Sequence, residues 1–217
     1  MMIRSLSCFL ALATCTVALA PASTSSRRAF FQNAALATSA AVTTAVLPAN
    51  AAAADNAAVV GGKPVFGKDD IMVQKSHGTS DAPVQSQLRY GVSNKMADQI
   101  SNYNRMWAEP AGSFSYTSFE AEVKKANGQP ITFADSVTGK PLFVAPMGRS
   151  AEEFLQESKT HGWPSFRDSE VVWENVRVLR SSGETVSASG THLGHNLPDR
   201  SGNRYCINLV SIAGEPI

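Results

Sequence analysis

The sequence predicts a mainly β, β-rich α+β domain behind a removable leader, and three observations carry that reading. Val171 to Leu179, Thr185 to Ser189 and Arg204 to Ile212 hold the valine, isoleucine and aromatic content of strands. Ser182-Gly183, Ser189-Gly190 and Ser201-Gly202-Asn203 punctuate those runs, and short strands joined by tight turns imply antiparallel pairing. Helical spacing is concentrated before Pro130 and around residue 150, which places helices at the periphery.

Residues 1–54 contain Arg4, Arg27 and Arg28, no acidic residue, and mostly Ala, Ser and Thr, the profile of targeting sequence. Two signals are read in series. Arg4 precedes the apolar run Cys8 to Leu19 and the small residues Val17-Ala18-Leu19-Ala20, a secretory pattern too short for a permanent span. Ser25-Ser26-Arg27-Arg28-Ala29-Phe30-Phe31, the apolar stretch Ala34 to Leu47 and Pro48-Ala49-Asn50-Ala51 resemble a twin-arginine signal. The order resembles the layered leaders of algae with complex plastids and implies a plastid, thylakoid-lumen destination; plain secretion is the alternative. The mature protein is expected to carry no membrane anchor.

Residues 55 to about 85 lack apolar periodicity and read as an arm or linker. Leu88, Val92, Met96, Ile100, Tyr103 and Trp107 recur at helical spacing, weakened by Gly91 and Ser93, and Phe119 to Ala126 adds a short helix ended by Asn127-Gly128. The span 55–129 is thus expected to be linker plus a partly helical brace without chemistry of its own, and 130–217 the functional core. Within that core, Ser150-Ala151-Glu152-Glu153 is a capping box that starts a helix and turns Phe154 and Leu155 inward.

Three of the 19 basic residues and none of the 18 acidic ones lie in the leader, so the remainder has a net charge of minus two. No basic stripe survives, which argues against nucleic acid or an anionic membrane surface as a partner. The leader also holds Cys8 and Cys15, leaving Cys206 as the mature chain's single thiol: an intermolecular partner, a reactive nucleophile or packing.

Three segments bear on that choice: His161-Gly162-Trp163-Pro164-Ser165-Phe166, Thr191-His192-Leu193-Gly194-His195-Asn196, and Gly202-Asn203-Arg204-Tyr205-Cys206-Ile207-Asn208. In order and spacing they resemble the catalytic core of the B-type methionine-R-sulfoxide reductases, from about Phe133 to Ala213. The resemblance implies two small antiparallel sheets with the reactive cysteine on a central strand. It also implies thiol-dependent reduction of methionine-R-sulfoxide, free or in proteins.

The thiolate is the nucleophilic form of cysteine, and a nearby cation favours it. Arg204 lies two residues from Cys206, so on a strand both side chains emerge on one face. The family pairs an aspartate with that arginine, here Asp199. A sulfoxide oxygen leaves only when protonated or strongly hydrogen bonded, and His192 and His195 are candidate donors. The resemblance makes His195 the acid and gives His192 and Asn208 the task of orienting substrate and water. It places Trp163 and Phe166 around the substrate methyl group.

The cycle so implied leaves a sulfenic acid on Cys206, which an external thiol such as glutaredoxin, thioredoxin or glutathione must reduce. No cofactor is expected. Many relatives bind zinc through two Cys-x-x-Cys pairs; here Asp135 and Thr138 stand for the first and Val186 and Ser189 for the second, which excludes a four-cysteine zinc site. The Pro198 to Asn203 loop is short for the family, and Asn196-Leu197 departs from its pattern. Two other classes fit the residues: a catalytically weak binder of oxidised or apolar side chains, and a cysteine hydrolase using Cys206 and His195, for which no oxyanion-hole signature is present.

Overall fold

The computed structural model describes residues 58–106 and 108–217. The leader and Trp107 lie outside the described residues.

The strands are β1 (Phe66–Gly67), β2 (Ile131–Ala134), β3 (Pro141–Ala145), β4 (Ser165–Phe166), β5 (Val176–Leu179), β6 (Glu184–Ser187), β7 (His192–Asn196) and β8 (Tyr205–Ile207). Six form one sheet in the order β1-β5-β6-β7-β8-β4; β2 and β3 form a separate hairpin. The run β5 to β8 is an antiparallel meander, whereas β1 joins β5 in parallel and makes the sheet mixed. Helix and strand contents of 28% and 25% are so close that the molecule is α+β without β predominance. The expected pair of small antiparallel sheets is therefore corrected to one mixed six-stranded sheet and one hairpin. The parallel edge comes from residues with no strand periodicity, so the pattern of apolar side chains gave no sign of it.

The helices are α1 (Asn94–Asp98), α2 (Phe119–Lys125) and α3 (Ala151–His161). The capping box of α3 forms as its sequence implies: Glu153 N donates to Ser150 Oγ at 3.1 Å and Ser150 N donates to Glu153 Oε2 at 2.7 Å. Gly162, at φ 85°, ends the helix in the left-handed conformation that glycine adopts without steric cost. The helix expected from Leu88 starts only after Ser93, because Tyr90 and Gly91 both have left-handed backbone. It continues beyond α1 as a wider π-turn over Gln99–Tyr103. Leu88 and Val92 still pack on the core, but from extended chain.

Residues 58–85, read from sequence as linker, are held along the sheet. Gly61 N donates to Val171 O, and Lys75 Nζ donates to the carbonyls of Ile71 and Thr79 at 2.7 and 2.6 Å. Polar side-chain and backbone bonds of this kind leave no apolar period to detect.

One aromatic core joins hairpin, helices and sheet. Phe143 stacks on Phe166 with centroids 4.3 Å apart, Phe133 meets Phe166 edge-on at 5.3 Å, and Phe119 packs against Tyr90, Phe114 and Phe154. Among the described residues no helix is long and apolar enough to cross a membrane.

Candidate active site

Register brings the predicted residues together. β8 lies between β7 and β4, with Cys206 opposite His195 on one side and Ser165 on the other. Residues paired across antiparallel strands project from the same face, so the thiol, the imidazole and the Ser165 hydroxyl share a face. Ser165 Oγ is 3.9 Å from Cys206 Sγ. On the other side of β8, Gly194 lets β7 come close, because a Cβ at that position would collide with the Cys206 carbonyl oxygen.

The half-buried thiol opens into a cavity of about 240 Å³ lined also by Met106, Ala108, Trp163, His192, His195 and Leu197. Gly194 and Asn208 complete its wall. A mostly apolar pocket with a few converging polar atoms is the usual form of a small-ligand site.

Arg204, nearly buried, donates from Nη1 to Cys206 Sγ at 2.5 Å and from Nε to Asp199 Oδ2 at 3.2 Å. Asp199 receives a second guanidinium, Arg167, at 3.0 Å on Oδ1 and 2.9 Å on Oδ2. The Arg167 bonds, with the Ser201 amide, hold the Asp199 carboxyl well below the usual carboxylate range.

The histidines occupy different settings. His192 is buried, and its Nδ1 lies 2.8 Å from Glu184 Oε1, which fixes the ring. Glu184 also receives Arg105, at 3.0 Å from Nε and 2.5 Å from Nη2 to Oε2. Burial pushes the Glu184 carboxyl up, but its bonds to His192 and Arg105 outweigh that and hold it below its ordinary range. His195 is half-buried, and burial first, then neighbouring His192, lowers its imidazole below the ordinary value. Its ring sits edge-on to His192 with centroids 5.7 Å apart.

Asn208 lines the cavity, but its amide is engaged by protein. Its Oδ1 accepts from Glu109 N at 2.9 Å and its Nδ2 donates to Leu193 O at 3.1 Å. Trp163 walls the cavity, with Nε1 donating to Glu109 O at 2.8 Å. Phe166 is not at the cavity, which corrects the expectation that it bounds the substrate methyl group. Side chains alternate along a strand: Ser165 faces Cys206, so Phe166 turns to the opposite side and is fully buried among Phe133, Phe143 and Phe154.

The site also uses residues that sequence reasoning passed over. Arg105, Met106, Ala108 and Glu109 belong to the segment read as a brace without chemistry, yet they fix Glu184, line the cavity and anchor Trp163 and Asn208. Glu184 was legible only as the residue before a strand; its relation to His192 depends on the irregular register of β6 on β7. Leu197, which departs from the family's pattern, lies on the cavity wall.

Asp135, Thr138, Val186 and Ser189, which the resemblance sets at the family's zinc-cysteine positions, offer no thiolate. Both oxygens of fully buried Asp135 are taken by hydroxyl and amide donors, from Thr191 at 2.9 and 3.1 Å, Thr138 at 3.0 Å and Val137 N at 2.9 Å. Val186 offers no donor atom and is buried with Met72 and Leu179. Elsewhere among the described residues, Glu157, His161 and Asp199 bring potential donors together, but the two carboxylates already face arginine guanidinia, which repel a cation.

No protein-family model matches the chain, and no solved structure matches it. Over 71 residues it is 32% identical to methionine-R-sulfoxide reductase B2, mitochondrial, of Danio rerio. That alignment takes in 25% of this chain and 39% of the relative, so the chain spans well under half the length of the curated relative it matches. The protein thus has distant, partial similarity to the methionine-R-sulfoxide reductases.

Proposed function

We propose that the protein reduces methionine-R-sulfoxide, free or in proteins, through Cys206. The observation that carries this reading is the cavity with the sulfur of Cys206 on its wall, bonded to Arg204 and paired in register with His195. Partial similarity to a methionine-R-sulfoxide reductase supports it.

In the proposed cycle the thiolate of Cys206 attacks the sulfoxide sulfur. The Arg204 guanidinium, held by Asp199, supplies a charge-assisted hydrogen bond to the anionic sulfur. His195 delivers a proton to the departing oxygen, while His192, fixed by Glu184, lines the same cavity. Trp163 and Leu197 accommodate the methyl-sulfur end, and Asn208 lines the same cavity. Oxygen passes from methionine to cysteine: the sulfoxide becomes a thioether and Cys206 a sulfenic acid. Two external thiols then reduce that sulfenic acid, releasing water and forming a disulfide between themselves. Cys206 is the one cysteine in residues 55–217, so glutaredoxin, thioredoxin or glutathione is assigned this step. The cycle needs no four-cysteine zinc clip. We also propose a plastid destination, with the thylakoid lumen as the final compartment and secretion as the alternative; the two signals read in residues 1–54 support it.

Single-turnover reduction of peptides carrying R or S methionine sulfoxide tests the proposal, with Cys206→Ser as control. The expected result is about one methionine per enzyme from the R form, none from the S form, and none from the control. A folded protein that binds the R peptide and yields no methionine overturns it in favour of a binding role.

A further inference from the structure

Arg204 contacts the sulfur, but Arg204 is itself delivered by a turn that something else must hold. Asp199 to Gly202 closes on itself, with Asp199 N donating to Gly202 O at 2.9 Å and Gly202 N to Asp199 O at 3.1 Å. Arg167 grips both ends of this turn. Its guanidinium makes two bonds to the Asp199 carboxylate, and Nη1 also donates to Asn203 O at 3.2 Å, one residue before Arg204.

Arg167 is anchored from behind. Its Nη2 is bonded to Glu157 Oε1 on α3, and its Nε donates to Glu157 Oε2 at 3.2 Å. Glu157 in turn receives Arg149 at 2.5 Å, and Arg149 is tied to fully buried Glu170 at 2.9 and 2.5 Å. Charges of alternating sign therefore run from Glu170 through Arg149, Glu157, Arg167, Asp199 and Arg204 to Cys206. Each planar guanidinium meets a carboxylate with more than one donor or bridges two acceptors, an arrangement that fixes direction as well as distance.

We propose that Arg167 is a positioning residue for Cys206: by clamping the Asp199–Asn203 turn at both ends, it holds Arg204 against the sulfur. The inference rests on reading Cys206 as a nucleophile, and it extends the site to α3, beyond the residues that touch the cavity. A lysine does not replace Arg167, because a single ammonium point does not span the Asp199 carboxylate and the Asn203 carbonyl together.

The test is the rate at which iodoacetamide alkylates Cys206 in the full chain at pH 7, followed by peptide mapping, with Cys8 and Cys15 as internal references. Loss of positioning slows alkylation, whereas mere loosening exposes the half-buried thiol and speeds it, so the two effects have opposite signs. Arg167→Gln is expected to slow Cys206 about fivefold or more while leaving the reference cysteines unchanged. Asp199→Asn slows it similarly, and the double variant is no slower than the slower single one, because both act through Arg204. An unchanged or faster rate in Arg167→Gln, or fully additive effects in the double variant, overturns the proposal. If Arg167→Gln does not fold, Arg167→Lys decides: a slowing of about twofold or more supports the clamp and an unchanged rate overturns it. Alkylation probes the thiol without any sulfoxide, so the clamp can fail while the reductase reading stands, and the reverse.

Discussion

His195 shows how burial sets the working range of a single side chain. Desolvation penalises the imidazolium, and His192 beside it adds to the effect, so the neutral ring is favoured to lower pH than the ordinary 6.5. The unfolded chain therefore takes up this proton before the folded one does as pH falls. Stability contributed by neutral His195 is present above 6.5 and is lost as pH falls through the lowered value. If His195 is the acid of the proposed reaction, its protonated fraction, and with it the chemical step, rises only below that same range. Single-turnover rates, each divided by the rate of Cys206 alkylation at the same pH, are expected to rise as pH drops below 6.5. His195→Asn is expected to abolish that rise and to slow the step by about 100-fold or more. A pH profile unchanged in His195→Asn removes His195 from the acid's role.

At the scale of elements, two neighbouring residues on β4 divide the work between site and core. Ser165 faces Cys206 while Phe166 packs into the aromatic core, and Trp163, just before the strand, reaches the cavity because its indole is tied to Glu109 O. Phe166→Ala is expected to destabilise the fold by about 3–5 kcal/mol in urea titration, leaving peptide affinity of the folded protein unchanged. Trp163→Ala is expected to do the reverse, weakening peptide binding with a smaller loss of stability. Affinity lost in folded Phe166→Ala would return that ring to the substrate wall.

The same strand shows what the sequence could and could not convey. The segment His161 to Phe166 was recognisable, but a two-residue strand has no periodicity from which to read which side chain faces which way. Arg204 does meet Cys206, as their spacing of two implied, but it lies just before β8, so the turn that precedes the strand sets the contact and strand alternation alone does not. The capping box of α3 was likewise legible, being a local exchange between Ser150 and Glu153. Arg167, Glu184 and Glu109 were not, because their partners stand 32, eight and 99 residues away and are set by tertiary register.

At the scale of the molecule, the boundary near residue 130 that motif content implies divides a shared core. Tyr90 and Phe119 lie before it and are buried against Phe133 and Phe154, which lie after it, and buried Phe114 backs Phe119. Arg105 and Glu109 also lie before it and hold Glu184, Trp163 and Asn208. Deleting a buried aromatic side chain costs about 3–5 kcal/mol. Three such losses rival the roughly 5–15 kcal/mol by which a typical domain is stable. A fragment of residues 130–217, although it contains all three motifs, is accordingly expected to lack near-ultraviolet circular dichroism and cooperative unfolding. A fragment of residues 58–217 is expected to show both and to alkylate Cys206 at the full-chain rate. Cooperative unfolding of the shorter fragment would mean that the aromatic contacts across residue 130 are dispensable and that the motifs define an independent folding unit. Its failure would make the first half of the described chain part of the site's foundation, supplying core and polar anchors together.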